Sequence, residues 1–174
     1  MHPDGNDDLI GRTANGKWWV AVSDGTEFTN QLWGAWAPQA GWQDVLVGDF
    51  NADGNDDIAG RASYGGWWVA LSNGTHGFTN APWGGWSSSV TWLDVQVVDV
   101  NHDGAADIAG RIDGQGAWWV AKSTTTSFST ERWGGWANVT WQDVMSGTYV
   151  NRNTLAISGL NLLNLEEQDQ QFFT

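Results

Sequence analysis

Apolar residues in this chain come in short runs, separated by turns rich in glycine, asparagine and aspartate. Residues 93–99, "LDVQVVD", are almost continuously apolar, which is typical of a strand buried on both faces. Further runs, "DIAGR" at 57–61, "WWVALS" at 67–72 and "FTNAPWGGW" at 78–86, predict three more strands. Asp-Gly at 24–25 and Asn-Gly at 73–74 favour hairpin turns. Signals for helices are weak, so the pattern predicts an all-β fold.

The same runs recur along the chain, and Asp99 repeats Asp49 after 50 residues. The recurring motifs are "WWVA" from Trp18, Trp67 and Trp118, "WG(A/G)W" at 33–36, 83–86 and 133–136, and "W(Q/L)DV" from Trp42, Trp92 and Trp141. Each unit carries five of the 15 tryptophans. Four short antiparallel strands in a repeat of this length are typical of a β-propeller blade. A β-solenoid normally has shorter repeats, and tandem small sandwiches need longer ones.

We therefore expect a propeller region at 1–150 with about three blades, in units of about 2–50, 51–100 and 101–150. Residues 151–174 are expected to hold a degenerate repeat remnant and a C-terminal tail. Met1 stands directly before "HPDGNDDLIG", which has the pattern of the back half of an acidic loop. We expect the chain to be a fragment or an excised piece of a repeat protein.

Two acidic loops of one design interrupt the strands, at 49–57 and at 99–107. Each alternates oxygen-bearing side chains and has a glycine, Gly54 or Gly104, at its sixth position. This pattern suits a hard cation, above all Ca²⁺, which also takes a backbone carbonyl from the seventh position. An EF-hand would close with glutamate at the twelfth position, where Gly60 stands, and would need flanking helices. We therefore predict EF-hand-like loops held between strands.

A solvated acidic turn without metal is the alternative, and the second copy argues against it. It replaces Asn55 and Asp56 by Ala105 and Ala106, at positions that need only a backbone carbonyl or no ligand. The predicted calcium ligands are Asp49, Asn51, Asp53, Asn55 and Asp57 in one loop, and Asp99, Asn101, Asp103, Ala105 and Asp107 in the other. Two bound Ca²⁺ would reduce the net charge of the chain from −13 to −9.

Composition excludes several kinds of partner. Lys and Arg total 7 against 20 Asp and Glu, so nucleic acid and anionic membranes would be repelled. The absence of cysteine excludes disulfides and thiolate metal sites, and the three histidines show no zinc-like spacing. No apolar run approaches the ~20 residues of a membrane span, and no signal peptide is visible.

With these motifs, the chain resembles FG-GAP/VCBS-type repeats, the calcium-loop blades of integrin α-subunit propellers and of many bacterial extracellular proteins. The residues that carry the resemblance are "GDFNADGNDDIAGR" at 48–61 and "VDVNHDGAADIAGR" at 98–111, with a partial match, "HPDGNDDLIGR", at 2–12. The resemblance covers residues 2 to about 150. Similar blades occur in fungal and bacterial propeller lectins.

The resemblance implies that each acidic loop joins the innermost strand of a blade to the second strand, and that Ca²⁺ binds there. It also implies an extracellular or cell-surface location. The first loop keeps only Asp4 and Asp8 of the ligand pattern, so we do not expect it to bind calcium well. Thr148 and Arg152 stand where aspartates belong at a fourth position, which is predicted to be metal-free.

Two side-chain sets recur besides the loops. Trp18, Trp19 and their repeats are expected to pack between blades, with each indole N–H donating to a carbonyl. Trp36, Trp86 and Trp136 close the "WG(A/G)W" motif, where they would either pack in the core or stack on the C–H face of a sugar. The arginines of the "(A/I)GR" motif are expected to form ion pairs with loop carboxylates, and the aspartates of "W(Q/L)DV" to cap turns.

Catalytic signatures are lacking: there is no G-x-S-x-G elbow and no P-loop, and no glutamate belongs to a repeated motif. We expect a binding protein rather than an enzyme, with calcium as its cofactor. Multivalent, lectin-like carbohydrate recognition is favoured because the tryptophan pair recurs in every unit. An integrin-like propeller that binds extracellular protein is the alternative, and a glycan-active enzyme is less favoured.

Three blades cannot close a ring, because propellers have about four to eight. The first unit lacks its innermost strand, whereas "WQDVMSGTY" at 141–149 supplies a spare one. We therefore expect a homodimer of six blades. The alternative is an open fragment whose tail covers the exposed edge.

Overall fold

The computed structural model describes residues 5–148, which contain eleven β-strands and a single turn of 3₁₀-helix at Pro38–Ala40. The strands are β1 (Leu9–Arg12), β2 (Lys17–Ser23), β3 (Phe28–Ala35), β4 (Gln43–Gly48), β5 (Asp57–Arg61), β6 (Gly66–Ser72), β7 (Phe78–Gly85), β8 (Trp92–Val98), β9 (Asp107–Ile112), β10 (Ala117–Ser123) and β11 (Phe128–Gly135). The prediction of an all-β chain is confirmed for this region. No helix in it is long and apolar enough to cross a membrane.

The strands form three antiparallel sheets with the orders β1-β2-β3, β4-β5-β6-β7 and β8-β9-β10-β11. In each complete sheet the strands follow one another in chain order, as in a meander. The first strand of a complete sheet comes from the "W(Q/L)DV" motif, so each of these sheets spans the junction between two sequence units. Residues 1–4 and 149–174, which include Asp4, Arg152 and the expected tail, lie outside the described region.

The second and third sheets lie face to face, with β4 beside β8 and β7 beside β11. Their core contains Phe50, Trp67, Trp83, Ile108 and Phe128, each at most 8% exposed. Trp18, Trp36, Ile58 and Ala70 form the corresponding core between the first and second sheets. Alternation within the strands produces this arrangement, since every second side chain of a strand points toward the same neighbouring sheet.

A glycine makes the close approach between sheets possible. A Cβ added to Gly60 in β5 would lie 2.5 Å from the Trp36 ring of the preceding sheet. Likewise, a Cβ added to Gly110 in β9 would lie 2.6 Å from the Trp86 ring. The glycine of the "AGR" motif is therefore required by the indole that packs against it.

Candidate functional sites

The acidic loop 49–57 joins β4 to β5 and is closed by hydrogen bonds from its own backbone. The Asp49 carboxylate accepts from the N–H groups of Asp53 at 3.1 Å and Gly54 at 2.8 Å. Asp53 in turn accepts from the N–H of Asn55 at 2.8 Å and the amide of Asn51 at 3.0 Å. Four of the predicted calcium-binding residues thus surround one turn of backbone.

The loop 99–107 between β8 and β9 repeats this geometry. Asp99 accepts from the N–H of Gly104 at 3.2 Å, and Asp103 from the N–H of Ala105 at 2.9 Å and the amide of Asn101 at 2.7 Å. His102 adopts a left-handed φ of 58°, as Ala52 does at 59° in the first loop. The two loops therefore have the same fold despite the alanines in the second.

Asp57 closes the first loop and is completely buried. Its carboxylate accepts from the N–H of Ser72 at 2.8 Å and from the N–H of Phe50 at 3.2 Å. Burial raises the pKa of Asp57 to about 7; these hydrogen bonds oppose the rise, and the negative charges of Asp53 and Asp49 add to it. The site therefore holds more negative charge than the protein alone compensates.

Asp107 occupies the same position in the second loop and is also completely buried. It accepts from the N–H of Ser123 at 2.7 Å and from the N–H of Val100 at 3.1 Å. Burial raises the pKa of Asp107 as well, and Asp103 and Asp99 contribute in the same direction. In the first sheet, Asp8 makes the corresponding bond with the N–H of Ser23 at 2.9 Å.

The oxygen donors of both loops and their uncompensated charge fit a calcium ion chemically. In residues 5–148, however, no three His, Cys, Asp or Glu side chains converge to metal-binding distance. The carboxylates of Asp49 and Asp53 are turned toward backbone N–H groups instead. Because a carboxylate has about four lone-pair sites, Asp49 and Asp53 could keep these hydrogen bonds and still ligate an ion.

The tryptophans of the "WG(A/G)W" motif are not equivalent in the structure. Trp36 and Trp86 are each 5% exposed, whereas Trp136 is 41% exposed. Each makes an edge-to-face contact with the first tryptophan of its own "WWVA" motif, with ring centroids 5.1–5.3 Å apart. Trp36 and Trp86 thus pack in the core, which is the first of the two roles expected for them, and Trp36 also lines a pocket described below. In the described region, neighbouring sheets cover them.

The expectation that the indole N–H groups of Trp18, Trp19 and their repeats donate to carbonyls is wrong for four of these residues in the described region. Within the described structure, five buried indole N–H groups have no acceptor, those of Trp18, Trp67, Trp86, Trp118 and Trp119. Trp36 instead donates across the junction to the side chain of Asn80, at 2.8 Å. The third sheet has Thr130 at the position of Asn80, so Trp86 lacks this bond.

A pocket of about 270 Å³ lies between the first two sheets, where sequence reasoning did not predict a site. Its lining residues are Ala35, Trp36, Ala37, Ala40, Trp42, Tyr64, Trp68 and Asn80. Trp42 donates to the Ala37 carbonyl at 2.8 Å, and Trp68 donates to the Tyr64 hydroxyl at 2.6 Å. These bonds hold two indoles and a phenol around one opening. In the sequence, Tyr64 is the only aromatic residue that distinguishes this pocket from the corresponding place in the next unit. That unit, "RIDGQGAWW" at 111–119, has no aromatic residue at the matching position.

Two of the repeated arginines, Arg61 and Arg111, form ion pairs, but with aspartates of the "W(Q/L)DV" motif rather than with the expected loop carboxylates. Arg61 donates to Asp44 from Nε at 2.8 Å and Nη2 at 2.6 Å, and Arg111 binds Asp94 with the same distances. These aspartates lie at bulges inside β4 and β8, with φ of 46° and 54°. The interpretation of them as turn caps is wrong, since each anchors a bulge to the next strand.

Residues 49–110 match the FG-GAP-like repeat family. This segment carries an FG-GAP-type repeat, and it includes both acidic loops and β5 to β8. The resemblance inferred from the acidic motifs is confirmed over this span. Comparison of the whole chain with curated proteins finds no match.

Proposed function

We propose that this protein is a non-enzymatic, calcium-stabilised module that binds carbohydrate in the pocket between its first two sheets. The aromatic lining of that pocket carries the proposal. Trp42, Trp68 and Tyr64 offer aromatic surface to the apolar face of a sugar ring. Asn80 adds an amide that can exchange hydrogen bonds with sugar hydroxyls.

The size and polarity of the pocket favour a small ligand. Its volume of about 270 Å³ is slightly below the range of roughly 300–1,000 Å³ that is usual for drug-sized molecules. Such a site suits one sugar ring, with the rest of a glycan in solvent. Because Tyr64 and Asn80 are not repeated in the third sheet, we assign the strongest site to this junction rather than one equal site to every blade.

Calcium acts on stability in this proposal. None of the pocket-lining residues belongs to the acidic loops. The chemistry that the ion supplies is compensation of the buried charge of Asp57 and Asp107. The loop residues would hold it through the side chains of Asp49, Asn51, Asp53 and Asp57 and their counterparts at 99–107, with a backbone carbonyl from residue 55 or 105.

The pocket is tested by Trp68→Ala, with Trp19→Ala as the matched control. Trp19 has the same position in β2, is 40% exposed and does not line the pocket. A glycan array identifies the sugar, and titration calorimetry then measures its affinity for each variant. Trp68→Ala should weaken binding about tenfold or more, because stacking on aromatic rings contributes roughly 1–3 kcal/mol to comparable contacts. Trp19→Ala should bind normally.

Unchanged glycan affinity in a folded Trp68→Ala variant would refute the site. Absence of any glycan ligand, together with capture of an extracellular protein that free sugars do not displace, would favour the integrin-like alternative. The EDTA-treated protein serves as a further comparison. If calcium only stabilises the fold, EDTA should lower the melting temperature without abolishing binding at low temperature.

A further inference from the structure

The two junctions between sheets within the chain use the same contacts. Trp36 packs on Gly60 of the second sheet, and Trp86 packs on Gly110 of the third. A phenylalanine then contacts the other tryptophan of the "WG(A/G)W" motif. Phe78 lies 5.3 Å from Trp33, and Phe128 lies 5.1 Å from Trp83, between ring centroids. Each sheet thus presents a glycine and a phenylalanine on one side and two tryptophans on the other.

The first sheet leaves the glycine side of this contact open. A Cβ at Gly11 would meet no atom within 4 Å. Leu9 is 61% exposed, although its counterpart Ile58 is 2% exposed. Phe28 is 54% exposed, compared with 8% for Phe128. We call this surface, formed by Leu9, Gly11 and Phe28, the glycine face.

The third sheet leaves the tryptophan side open. Trp133 and Trp136 are 48% and 41% exposed, whereas Trp83 and Trp86 are 2% and 5% exposed at the same positions of the second sheet. We call the surface formed by Trp133 and Trp136 the tryptophan face. The glycine face and the tryptophan face are therefore the two separated halves of a contact that the chain already makes twice.

The strand edges next to these faces are complementary as well. Within the described residues, β1 is the outer strand of a three-stranded sheet, and residues 141–148 belong to no sheet. Asp143 nevertheless has a φ of 54°, the same as Asp94 in β8. Trp141 donates to the Ala137 carbonyl at 3.0 Å, which corresponds to the bond from Trp42 to the Ala37 carbonyl at 2.8 Å. The segment 141–148 thus already has features of β4 and β8, and it lies beside β8, where the Ser146 hydroxyl donates to the Val97 carbonyl at 3.1 Å.

The charged residues at the two edges, Arg12 and Asp143, are complementary as well. In the complete sheets, an arginine of the second strand binds the aspartate of the first, as Arg61 binds Asp44. Arg12 is the arginine of the first sheet, and it lies over the ring of Trp18 at 5.6 Å. The register of Gln43 with Arg61 in the second sheet would place Gln142 opposite Arg12 and Asp143 within reach of its guanidinium.

We propose that a second copy of this chain fills both open sites reciprocally. Trp136 of each copy packs on Gly11 of the other, and residues 141–148 of each copy pair with β1 of the other, with Asp143 accepting from Arg12. The two exchanges together give six four-stranded sheets, which lies within the range of about four to eight that closes a ring. Because a closed ring uses every open face, association ends at the dimer.

The steric test is Gly11→Leu in the full chain. The open surroundings of Gly11 should let the separate chain tolerate leucine, but leucine would occupy the space that Trp136 of the partner copy needs. Thr29→Leu adds the same bulk at an exposed position of β3 and is the control. By light scattering, the wild type and the control should have a mass of about 38 kDa, twice the 19.0 kDa of one chain. Gly11→Leu should raise the dimer dissociation constant about tenfold or more.

The electrostatic test is charge reversal. Arg12→Asp and Asp143→Arg should each weaken the dimer, and the double variant should restore it, because the pair is then reversed rather than lost. Tryptophan fluorescence and circular dichroism confirm that every variant is folded. A monomeric wild type over a wide range of concentration would overturn the proposal. So would a dimer that Gly11→Leu and both single reversals leave unchanged.

Discussion

Asp57 and Asp107 show how much the acidic loops depend on their surroundings. Each carboxylate is completely buried and accepts two backbone N–H groups from neighbouring segments. No arginine or lysine forms an ion pair with either of them in the described region. Protonation or a bound cation is therefore the available means of removing the charge. At this scale, calcium and protons should compete for the same oxygens.

This competition predicts a particular pH dependence for the calcium-free protein. The pKa of Asp57 rises from its usual 3.8 to about 7 on folding, so the folded state binds the proton more tightly than the unfolded state does. The stabilisation that this proton gives the folded state is fully present below about pH 4 and is lost as the pH rises to about 7. The loss should be of the order of 4 kcal/mol, from about 1.4 kcal/mol per pKa unit.

Scanning calorimetry in EDTA at several pH values measures this loss. Asp57→Asn should reduce the dependence, because an amide does not titrate in this range, and the part contributed by the raised pKa of Asp107 should remain. Asp113→Asn changes an aspartate outside both loops and should keep the wild-type dependence. A calcium-free wild type whose melting temperature rises between pH 4 and pH 7 would contradict the expectation.

At the scale of the strands, the bulges in β4 and β8 decide where the first strand of a sheet meets the second. The aspartate at each bulge has a left-handed backbone, which costs free energy for a residue other than glycine. The ion pair with the arginine of the next strand offsets this cost. Side-chain exposure is 7% for Arg61 and 21% for Asp44, so the pair is only weakly screened by solvent.

Removing one partner of this pair should be costly. Asp44→Ala leaves the Arg61 guanidinium buried without its carboxylate, and breaking a buried pair in this way typically costs about 3–5 kcal/mol. Because Asp44 is partly exposed, we expect the lower end of that range. The control is Glu131→Ala, which breaks the exposed pair with Lys122 and should change the free energy of unfolding little, because solvent screens such pairs. Urea denaturation of both variants checks the difference, and equal losses would contradict it.

At the scale of the whole molecule, the first acidic loop, 49–57, is built into the junction between the second and third sheets. The backbone carbonyl of Asp49 accepts from the N–H of Ala106 at 2.8 Å, and the Phe50 carbonyl accepts from the Ser123 hydroxyl at 2.6 Å. Residues of the loop 49–57 therefore contact the third sheet directly. An ion in this loop would stabilise the stack of sheets as well as its own turn.

Calcium should therefore raise the melting temperature of the domain as one unit. With free Ca²⁺ at 100 times the dissociation constant, one site contributes about 2.7 kcal/mol. Asp53→Ala should remove a large part of the rise in melting temperature on calcium addition. Asp103→Ala should remove the part that comes from the other loop, and the double variant should not respond to calcium. Differential scanning calorimetry with calcium and with EDTA measures this, and a wild type that ignores chelation would refute calcium stabilisation.

Much of this architecture could be predicted from the sequence, because local patterns determine it. Alternating apolar strands, Gly-containing turns and a period of about fifty residues specify antiparallel sheets one after another. The acidic motif was recognised from spacing alone, and the family match at 49–110 confirms the repeat. The ion pairs of the repeated arginines were also expected, although their partners were not.

The tertiary structure alone decided which repeated residues remain equivalent. Trp36, Trp86 and Trp136 share a motif, yet only Trp136 is substantially exposed, because burial depends on whether another sheet covers the residue. The pocket combines Trp68 of β6, Asn80 of β7 and Tyr64 of the turn before β6 with residues of the first sheet, so among its aromatic residues only Tyr64 distinguishes it in the sequence. The sequence by itself determined the strands, turns and acidic loops through short-range preferences. Exposure, pockets and open faces were decided by packing between sheets that are distant along the chain.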